Sequence, residues 1–283
     1  MSERKRFCVV GDPIAHSKSP VMHSAAYRFL GLPHRYEAVR ATPEELPRLV
    51  RELRDGVWSG INVTVPHKRR VLDLVDDVDP TARRVGAANT LVLSRGRVVA
   101  YNTDVAALAL EITDLLPERR DWSRSRALVL GKGGAARSAV CALAVQLGVS
   151  EVAVRARGGA PEAFAREMQD LCGEARVVAE PWEPGPAHEA RTSLVVQCTS
   201  AGMHGADSGE PLTQIVAWAS LPPHAAALDV VYVPPETPFL RAAREHGLRG
   251  ANGLGMLARQ GALAFELWLG LPAPYGAMLA AIL

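Results

Sequence analysis

The sequence is poor in the features that mark several classes of protein. Only four cysteines occur in 283 residues, and they lack the paired spacing of a zinc site or a disulfide framework. No stretch is apolar for long enough to span a bilayer, and the opening MSERKRFCVV lacks the apolar stretch of a signal peptide. These absences predict a cytoplasmic protein in a reducing compartment, with buried thiols and no metal.

An excess of charge of one sign is also absent. The formal net charge is +2, which is too balanced to indicate nucleic acid or a membrane as the main partner. Hydrophobic residues make up 48% of the chain, so a sizeable core can form, and the length suits one large domain or two ordinary ones. A small-molecule partner is expected, and the sequence leaves monomer and homodimer open.

The chain contains two successive patterns of strands and helices. Residues 1–104 alternate short apolar strands with helices and include a hairpin turning near Arg95 and Gly96, which predicts a mixed α/β unit. Farther along, beginning with RALVL, short apolar strands alternate with helices or loops, which predicts a parallel sheet.

Capping signals predict where two helices of the first unit begin. Ser19 before Pro20 is typical of an N-cap followed by proline at the first helical position. Thr42 and Glu45 have the spacing of a capping box. A third helix is expected to contain RRVLDLV, after the strand GINVTV.

A glycine turn lies between a predicted strand and a predicted helix. The segment LVLGKGGAARSA places Gly131, Gly133 and Ala136 in the pattern G-x-G-x-x-A, with Gly134 and Ala135 between them at the helix start. Such a turn brings a pyrophosphate against free N–H groups at the positive end of a helix. The flanking strand and helix favour dinucleotide binding over a glycine turn without a ligand.

The strand after this turn bears on the choice of cofactor. An NAD site usually has an acid at the end of that strand, but Glu151 stands before it, and its tip carries Arg155 and Arg157. Their guanidinium groups suit a 2′-phosphate through charge-assisted hydrogen bonds. The alternative is a pair of solvated surface arginines. We expect NADP.

Polar residues of the first unit lie at strand ends and helix starts. Ser17 and Ser19 precede or begin a helix whose N-terminus attracts anions, although Ser19 taken alone is better explained as a cap. Further hydroxyl, amide, lysine and carboxylate groups occur at Asn62, Thr64, Lys68, Asn89 and Asp104. Each also has an ordinary explanation, such as a half-buried strand face or a helix cap. Together they suit a small polyhydroxylated acid.

Motifs distributed over nearly the whole chain resemble those of the shikimate dehydrogenase family. They are GDPIAHSKSP, NVTVPHK, GAANT, YNTD, GKGGAARSA, CTSAGM, DVVYVPPETPFL and GLGMLARQGALAFELW. The resemblance implies a substrate domain of residues 1–104 and 253–283, whose C-terminal helix returns to it, and a Rossmann-type doubly wound NADP domain over 105–252. It also implies reversible reduction of 3-dehydroshikimate to shikimate in aromatic amino acid biosynthesis, the chorismate pathway.

The same resemblance implies roles for individual residues. Lys68 would be catalytic and paired with Asp104, and Ser17 and Ser19 would bind the substrate carboxylate. Further substrate-binding groups are implied at Asn62, Thr64, Asn89, Gln260 and Tyr232, and positions beside the nicotinamide at Gly253 and Met256. Hydride arriving at a ketone leaves charge on the oxygen, which a lysine ammonium can stabilise before giving up a proton.

The sequence departs from the family pattern at several positions. Lys132 stands in the glycine turn where a small residue is usual, VRAR replaces Asn-Arg-Thr, and Gln197 replaces an asparagine. Ala107 replaces a glycine, and Gly261 follows Gln260 where alanine is usual. Most of these departures bear on cofactor preference more than on reaction type.

Two other functions remain as alternatives. The first is a quinate or quinate/shikimate dehydrogenase, but such relatives often alter the second serine of SKSP and favour NAD, whereas here both serines are present. The second is a non-catalytic NADP- or metabolite-sensing module. It would be expected to lose the Lys68–Asp104 pair, and the sequence retains both residues.

Overall fold

The computed structural model describes residues 3–283 and divides the chain into two compact units. One unit comprises the chain up to Ala107 together with Leu257–Leu283, and the other comprises Leu108–Met256. These boundaries differ from the predicted 104 and 253 because they fall inside two continuous helices, Asp104–Leu115 and Leu254–Leu269.

The first unit is built on a six-stranded mixed sheet. Its elements are β1 (Arg6–Gly11), α1 (Ser19–Phe29), β2 (Arg35–Arg40), α2 (Leu46–Arg54), β3 (Gly60–Val63), β4 (Asp77–Val78), α3 (Pro80–Val85), β5 (Thr90–Ser94), β6 (Arg97–Tyr101) and the start of α4 (Asp104–Leu115). The order across the sheet is β2-β1-β3-β5-β6-β4. Strands β2, β1 and β3 are parallel, so the loops after β1 and β3 leave from the same edge of the sheet.

The hairpin of this unit forms as predicted. Strands β5 and β6 are antiparallel, with Ser94 opposite Arg97. Arg95 and Gly96 both have positive φ, 50° and 76°, as a two-residue type I′ turn requires. The hairpin places Asn89 and Asp104 at its two open ends.

The predicted helix starts of the first unit need correction. Ser19 is the first residue of α1 and not its cap, because the helical backbone already includes Lys18 at the capping position. The N–H of Thr42 donates to Glu45 Oε2 at 2.8 Å, which is half of a capping box. Helix α2 nevertheless begins only at Leu46, just before Pro47, because proline fits the first turn and not the helix interior.

The region after β3 also differs from the prediction. RRVLDLV forms only a short 3₁₀ helix, Arg70–Leu74, and β4 and α3 were not predicted. Helix α3 had a readable signal, because Asp79 precedes Pro80 and its side chain accepts the N–H of Thr81 at 2.8 Å. Burial of Val71 and Ala82 against the core of the unit fixes this short segment.

The second unit is built on a six-stranded parallel sheet. Its elements are β7 (Arg126–Leu130), α5 (Gly134–Cys141), β8 (Glu151–Arg155), α6 (Pro161–Leu171), β9 (Arg176–Ala179), α7 (Pro186–Glu189), β10 (Thr192–Gln197), α8 (Glu210–Thr213), β11 (Ala226–Asp229), α9 (Pro238–Glu245) and β12 (Arg249–Ala251). The order β12-β11-β10-β7-β8-β9, with every neighbour parallel, is the doubly wound arrangement predicted from the sequence. The strand order reverses between β7 and β10, where open α/β sheets bind ligands.

The chain ends in α10 (Leu254–Leu269) and α11 (Tyr275–Ala280), and most of this segment belongs to the first unit. Trp268 of α10 donates its indole N–H to the carbonyl oxygen of Leu91 at 2.9 Å and fills the space above Gly60. Within residues 3–283, no helix is long and apolar enough to cross a membrane.

Candidate active site

Lys68 and Asp104 form an ion pair in the first unit. Lys68 Nζ donates to Oδ2 of Asp104, the first residue of α4, over 2.6 Å. The lysine side chain is 16% exposed and the carboxylate 3% exposed. The carbonyl oxygen of Lys68 accepts the N–H of Ala88 at 2.8 Å, which anchors the loop after β3. An ammonium has three donors and Asp104 accepts one, so the others can serve a ligand.

Asn89 holds the second oxygen of this carboxylate. Its Nδ2 lies 2.9 Å from Asp104 Oδ1, 2.8 Å from Thr103 Oγ1 and 3.2 Å from Gln260 Oε1. Its own Oδ1 accepts the N–H of Thr103 at 2.8 Å. The buried amide therefore fixes Asp104 with its other oxygen directed at Lys68.

Gln260 joins this cluster from helix α10. Its side-chain Nε2 donates to the backbone carbonyl oxygen of Leu257 at 2.9 Å. The backbone carbonyl oxygen of Gln260 accepts from Thr103 Oγ1 at 3.1 Å. The neighbouring Gly261 has a packing reason, because a Cβ there would lie 2.2 Å from Met22 Cε. Met22 occupies the space that the alanine usual in the family would take.

Asn62 and Thr64 are placed by strand β3. Asn62 is buried, and its Nδ2 donates to the carbonyl oxygen of Asn89 at 3.1 Å and to Thr90 Oγ1 at 3.0 Å. Thr64 follows the strand, half-buried, with its N–H bonded to the carbonyl oxygen of Val10 at 2.9 Å. A Cβ at Gly11 would lie 2.5 Å from the Thr64 methyl, so glycine lets the two chains approach here.

Ser17 and Ser19 lie at the N-terminus of α1. Ser17 Oγ accepts the N–H of Ser19 at 3.3 Å, and Ser19 is buried. Nearby on β2, the Oη of Tyr36 donates to Asn62 Oδ1 at 2.7 Å. Tyr36 belongs to none of the motifs, so sequence reasoning missed it. Its position on a strand between two motifs offered only a core aromatic as an interpretation.

The second unit contains a cavity of about 220 Å³ beside the glycine turn. It is lined by Gly131 and Lys132 of the turn, by Arg157 after β8, and by Thr199 and Ser200 after β10. Gly131 has φ +120°, and a Cβ there would lie 3.2 Å from the Thr199 methyl, so the turn needs glycine. Gly133 precedes α5, which Gly134 and Ala135 open.

Arg155 does not occupy the exposed position expected of it. Its guanidinium is 1% exposed and donates to Glu189 Oε1 at 2.7 Å, to Glu180 Oε2 at 2.8 Å and to the carbonyl oxygen of Ile215 at 2.7 Å. Neither interpretation from the sequence, a 2′-phosphate ligand or a solvated arginine, fits such burial. The reason lies in Glu189 at the end of α7 and Glu180 just after β9, which are distant in sequence and hold the side chain inside the unit.

Arg157 and Lys132 remain beside the cavity. Arg157 is largely exposed and lies 2.5 Å from Asp207 Oδ2, and Asp207 also lines the cavity. Lys132 Nζ donates to the carbonyl oxygens of Gly158 and Gly159, so the lysine ties the glycine turn to the loop after β8. Both cations lie at the end of β8, where a 2′-phosphate is usually bound.

The contacts of Gln197 explain why glutamine stands where the family pattern has asparagine. It is fully buried at the end of β10. Its Nε2 donates to the carbonyl oxygens of Thr199 and Ala201 at 3.2 and 3.0 Å, and its Oε1 accepts the N–H of Thr199. One side chain therefore shapes the loop that lines the cavity.

The remaining predicted positions follow β11 and β12. Tyr232 is half-buried, and Met256 is buried on α10. The N–H of Gly253 donates to the carbonyl oxygen of Val231 at 3.0 Å, and a Cβ at Gly253 would lie 2.2 Å from the Val230 carbonyl oxygen. Only glycine fits there, whatever its contact with a cofactor.

Two family models match the chain. They describe the shikimate dehydrogenase substrate binding domain, over residues 9–91, and the shikimate 5′-dehydrogenase C-terminal domain, over residues 253–283. The shikimate dehydrogenase (NADP(+)) of Symbiobacterium thermophilum is 41% identical, across 97% of this chain and 92% of its own. The chain belongs to the shikimate dehydrogenase family. The resemblance drawn from the motifs is confirmed.

Solved structures with similar sequences share the fold. The Thermus thermophilus shikimate 5-dehydrogenase, in complex with NADP(H) and shikimate, has a TM-score of 0.79 and 35% identity, with 98% of both chains covered. A 5-ketofructose reductase from a Gluconobacter strain, in its ligand-free form, has a TM-score of 0.85 and 28% identity, covering 99% of this chain and 98% of that one. The fold therefore accommodates more than one substrate, and the substrate has to be argued from the site.

Proposed function

We propose that the chain is an NADP-dependent oxidoreductase that interconverts shikimate and 3-dehydroshikimate in aromatic amino acid biosynthesis. The observation that carries the proposal is the Lys68–Asp104 pair, 2.6 Å apart and bounded by buried amides. A sensing module has no need of an enclosed ammonium, whereas proton transfer to a ketone oxygen does.

Lys68 is the residue that moves the proton. In reduction its ammonium stabilises the charge that develops on the ketone oxygen and then donates a proton to it. In oxidation the neutral amine removes the hydroxyl proton. Asp104 fixes the ammonium, and Asn89 fixes Asp104, so the donor is already in place before the substrate binds.

The rest of the cluster suits a hydroxylated carboxylic acid. Ser17 and Ser19, at the positive end of an 11-residue helix, are the proposed carboxylate ligands. The proposed hydroxyl ligands are Asn89 and Gln260, which belong to the hydrogen-bonded cluster of the ion pair, together with Asn62 and Thr64. Tyr232 is the further substrate residue implied by the family.

The second unit fits NADP. Gly131 admits no side chain, helix α5 starts at Gly134 beside the cavity, and Lys132 and Arg157 bring positive charge to it. Gly131, Gly133, Gly134 and Ala135 are the proposed pyrophosphate contacts, and Gly253 and Met256 the proposed nicotinamide neighbours. NADPH supplies the hydride when bound. Arg157 is the proposed ligand of the 2′-phosphate, and Arg155 has no such role.

The direct test is substrate-dependent change at the NADPH absorbance band with purified native protein. Shikimate with NADP⁺ is expected to give the highest kcat/KM, well above quinate with NADP⁺ and shikimate with NAD⁺. In the reverse direction, 3-dehydroshikimate should be reduced and 5-ketofructose should not. A higher kcat/KM with quinate, or reduction of 5-ketofructose in place of 3-dehydroshikimate, would overturn the substrate assignment.

A further inference from the structure

Tyr36 lies directly behind the proposed substrate cluster. It stands on β2, opposite Phe7 of β1, while Asn62 of β3 stands opposite Val9 of the same central strand. Tyr36 and Asn62 are therefore on the same face of the sheet, and the phenol reaches across β1 to place Oη 2.7 Å from Asn62 Oδ1.

The contacts of Asn62 determine which way its amide points. Its Nδ2 faces the carbonyl oxygen of Asn89, which can only accept a hydrogen bond, and also faces Thr90 Oγ1. Both N–H groups are thereby used. The oxygen of the amide must face Tyr36, and the phenol must donate to it.

Tyr36 is equipped to remain a donor. Burial raises the pKa of its phenol well above the ordinary value, so the O–H stays protonated. Its ring is held by His23, which stacks on it with centroids 4.2 Å apart and planes at 3°.

We propose that Tyr36 is a positioning residue that fixes the amide of Asn62 so that the site offers an acceptor to a substrate hydroxyl. An amide free to rotate can offer N–H donors or an oxygen acceptor. With Nδ2 saturated and one lone pair of Oδ1 taken by Tyr36, only a second lone pair on Oδ1 is left. Asn62 then favours ligands whose hydroxyl group donates a hydrogen bond to Oδ1. This inference rests on the proposed function.

The test compares Tyr36→Phe with Tyr27→Phe. Tyr27 lies in the same aromatic cluster and is also buried, and its hydroxyl has no hydrogen-bond partner among the described residues. Loss of one neutral hydrogen bond that orients a ligand group corresponds to about a fivefold to tenfold rise in KM. Tyr36→Phe should raise KM for shikimate by this factor, with kcat and KM for NADP⁺ within about twofold of native, since the contact is made in ground and transition states alike. Tyr27→Phe should keep the native KM.

A double-variant cycle separates positioning from general destabilisation. Asn62→Ala should raise KM for shikimate, and adding Tyr36→Phe to it should raise KM no further, because Tyr36 acts through Asn62. An unchanged KM in Tyr36→Phe, the same change in Tyr27→Phe, or effects that multiply in the double variant would overturn the inference. Failure of the proposed function is distinguishable, because the native protein would then show no shikimate-dependent reduction of NADP⁺, and the inference would fall with it.

Discussion

Arg155 and Arg157 lie two positions apart at the end of β8, yet their guanidinium groups have opposite environments. Arg155 is buried between Glu180 and Glu189, whereas Arg157 makes one exposed ion pair with Asp207 beside the cavity. Burial alone would raise the pKa of Glu189, but Arg155 and backbone N–H groups outweigh it and hold that pKa below its ordinary value. The exposed pair is weak enough for a phosphate to replace Asp207 as the partner of Arg157.

The two arginines should therefore respond differently to removal. Arg157→Ala should lower kcat/KM for NADP⁺ by about tenfold or more and leave NAD⁺ nearly unchanged, since a charge-assisted contact contributes roughly 1.5–3 kcal/mol. Arg155→Ala should instead reduce the free energy of unfolding by about 3–5 kcal/mol, because it leaves the buried carboxylate of Glu189 without its arginine partner, while Glu180 keeps its ion pair with Arg126. Kinetics with both cofactors and thermal melts check this. A stable Arg155→Ala protein that loses only NADP⁺ use would contradict the assignment.

At the scale of elements, α1, β2 and α10 of the first unit meet in an aromatic cluster. His23 of α1 stacks on Tyr36 of β2 and lies 5.6 Å from the Trp268 ring of α10, while Tyr27 packs on Phe265. Both ring nitrogens of His23 are buried without a hydrogen-bond partner among the described residues, and burial lowers its pKa to about 3. The helices are thus held against the sheet by a neutral imidazole.

This cluster should make stability dependent on pH. The unfolded chain binds a proton at His23 near pH 6.5, whereas the folded protein resists it down to about pH 3. The unfolded state binds more protons between these values, so the contribution of His23 to the free energy of unfolding falls as pH falls through that window. Between pH 7.5 and 5.0, native protein should lose roughly 2 kcal/mol more than His23→Phe.

Urea unfolding at the two pH values measures this difference. Asp229 of the second unit has its pKa raised by burial to about 6 and so acts with the opposite sign, but it is common to both proteins and cancels in the comparison. Identical pH dependence in native and His23→Phe proteins would show that the imidazole is already charged, or solvated, in the folded state.

Some helices and strands could be predicted from the sequence, and others could not. The six strands of the second unit follow local patterns, namely short apolar runs bounded by glycine and polar residues, and every one forms. The hairpin at Arg95 and Gly96 follows from turn chemistry alone. The predicted start of α2 is wrong because the helix begins beside Pro47 and not at the Thr42–Glu45 capping signal. Strand β4 was not predicted because it is only two residues long. Such short elements depend on packing that a local pattern does not contain.

For the whole molecule, the sequence predicted the fold class, the family and the cofactor, because their motifs are contiguous. It did not predict partners that tertiary structure alone brings together. Glu189 lies 34 residues from Arg155, and Tyr36 lies 26 residues from Asn62. The roles of Lys68 and the other site residues remain predictions, although the structure brings Lys68, Asp104, Asn62, Asn89 and Gln260 into one hydrogen-bonded cluster.

The central claim is that turnover depends on proton transfer by Lys68, and the most direct test is kcat for shikimate oxidation in Lys68→Ala. The account predicts a fall of about 10²-fold or more, the range for a positioned acid–base group, with much smaller changes in KM for shikimate and NADP⁺. Lys5→Ala, which removes the same charge elsewhere in the first unit, should keep native turnover. Near-native kcat in Lys68→Ala, with the protein folded, would contradict the account.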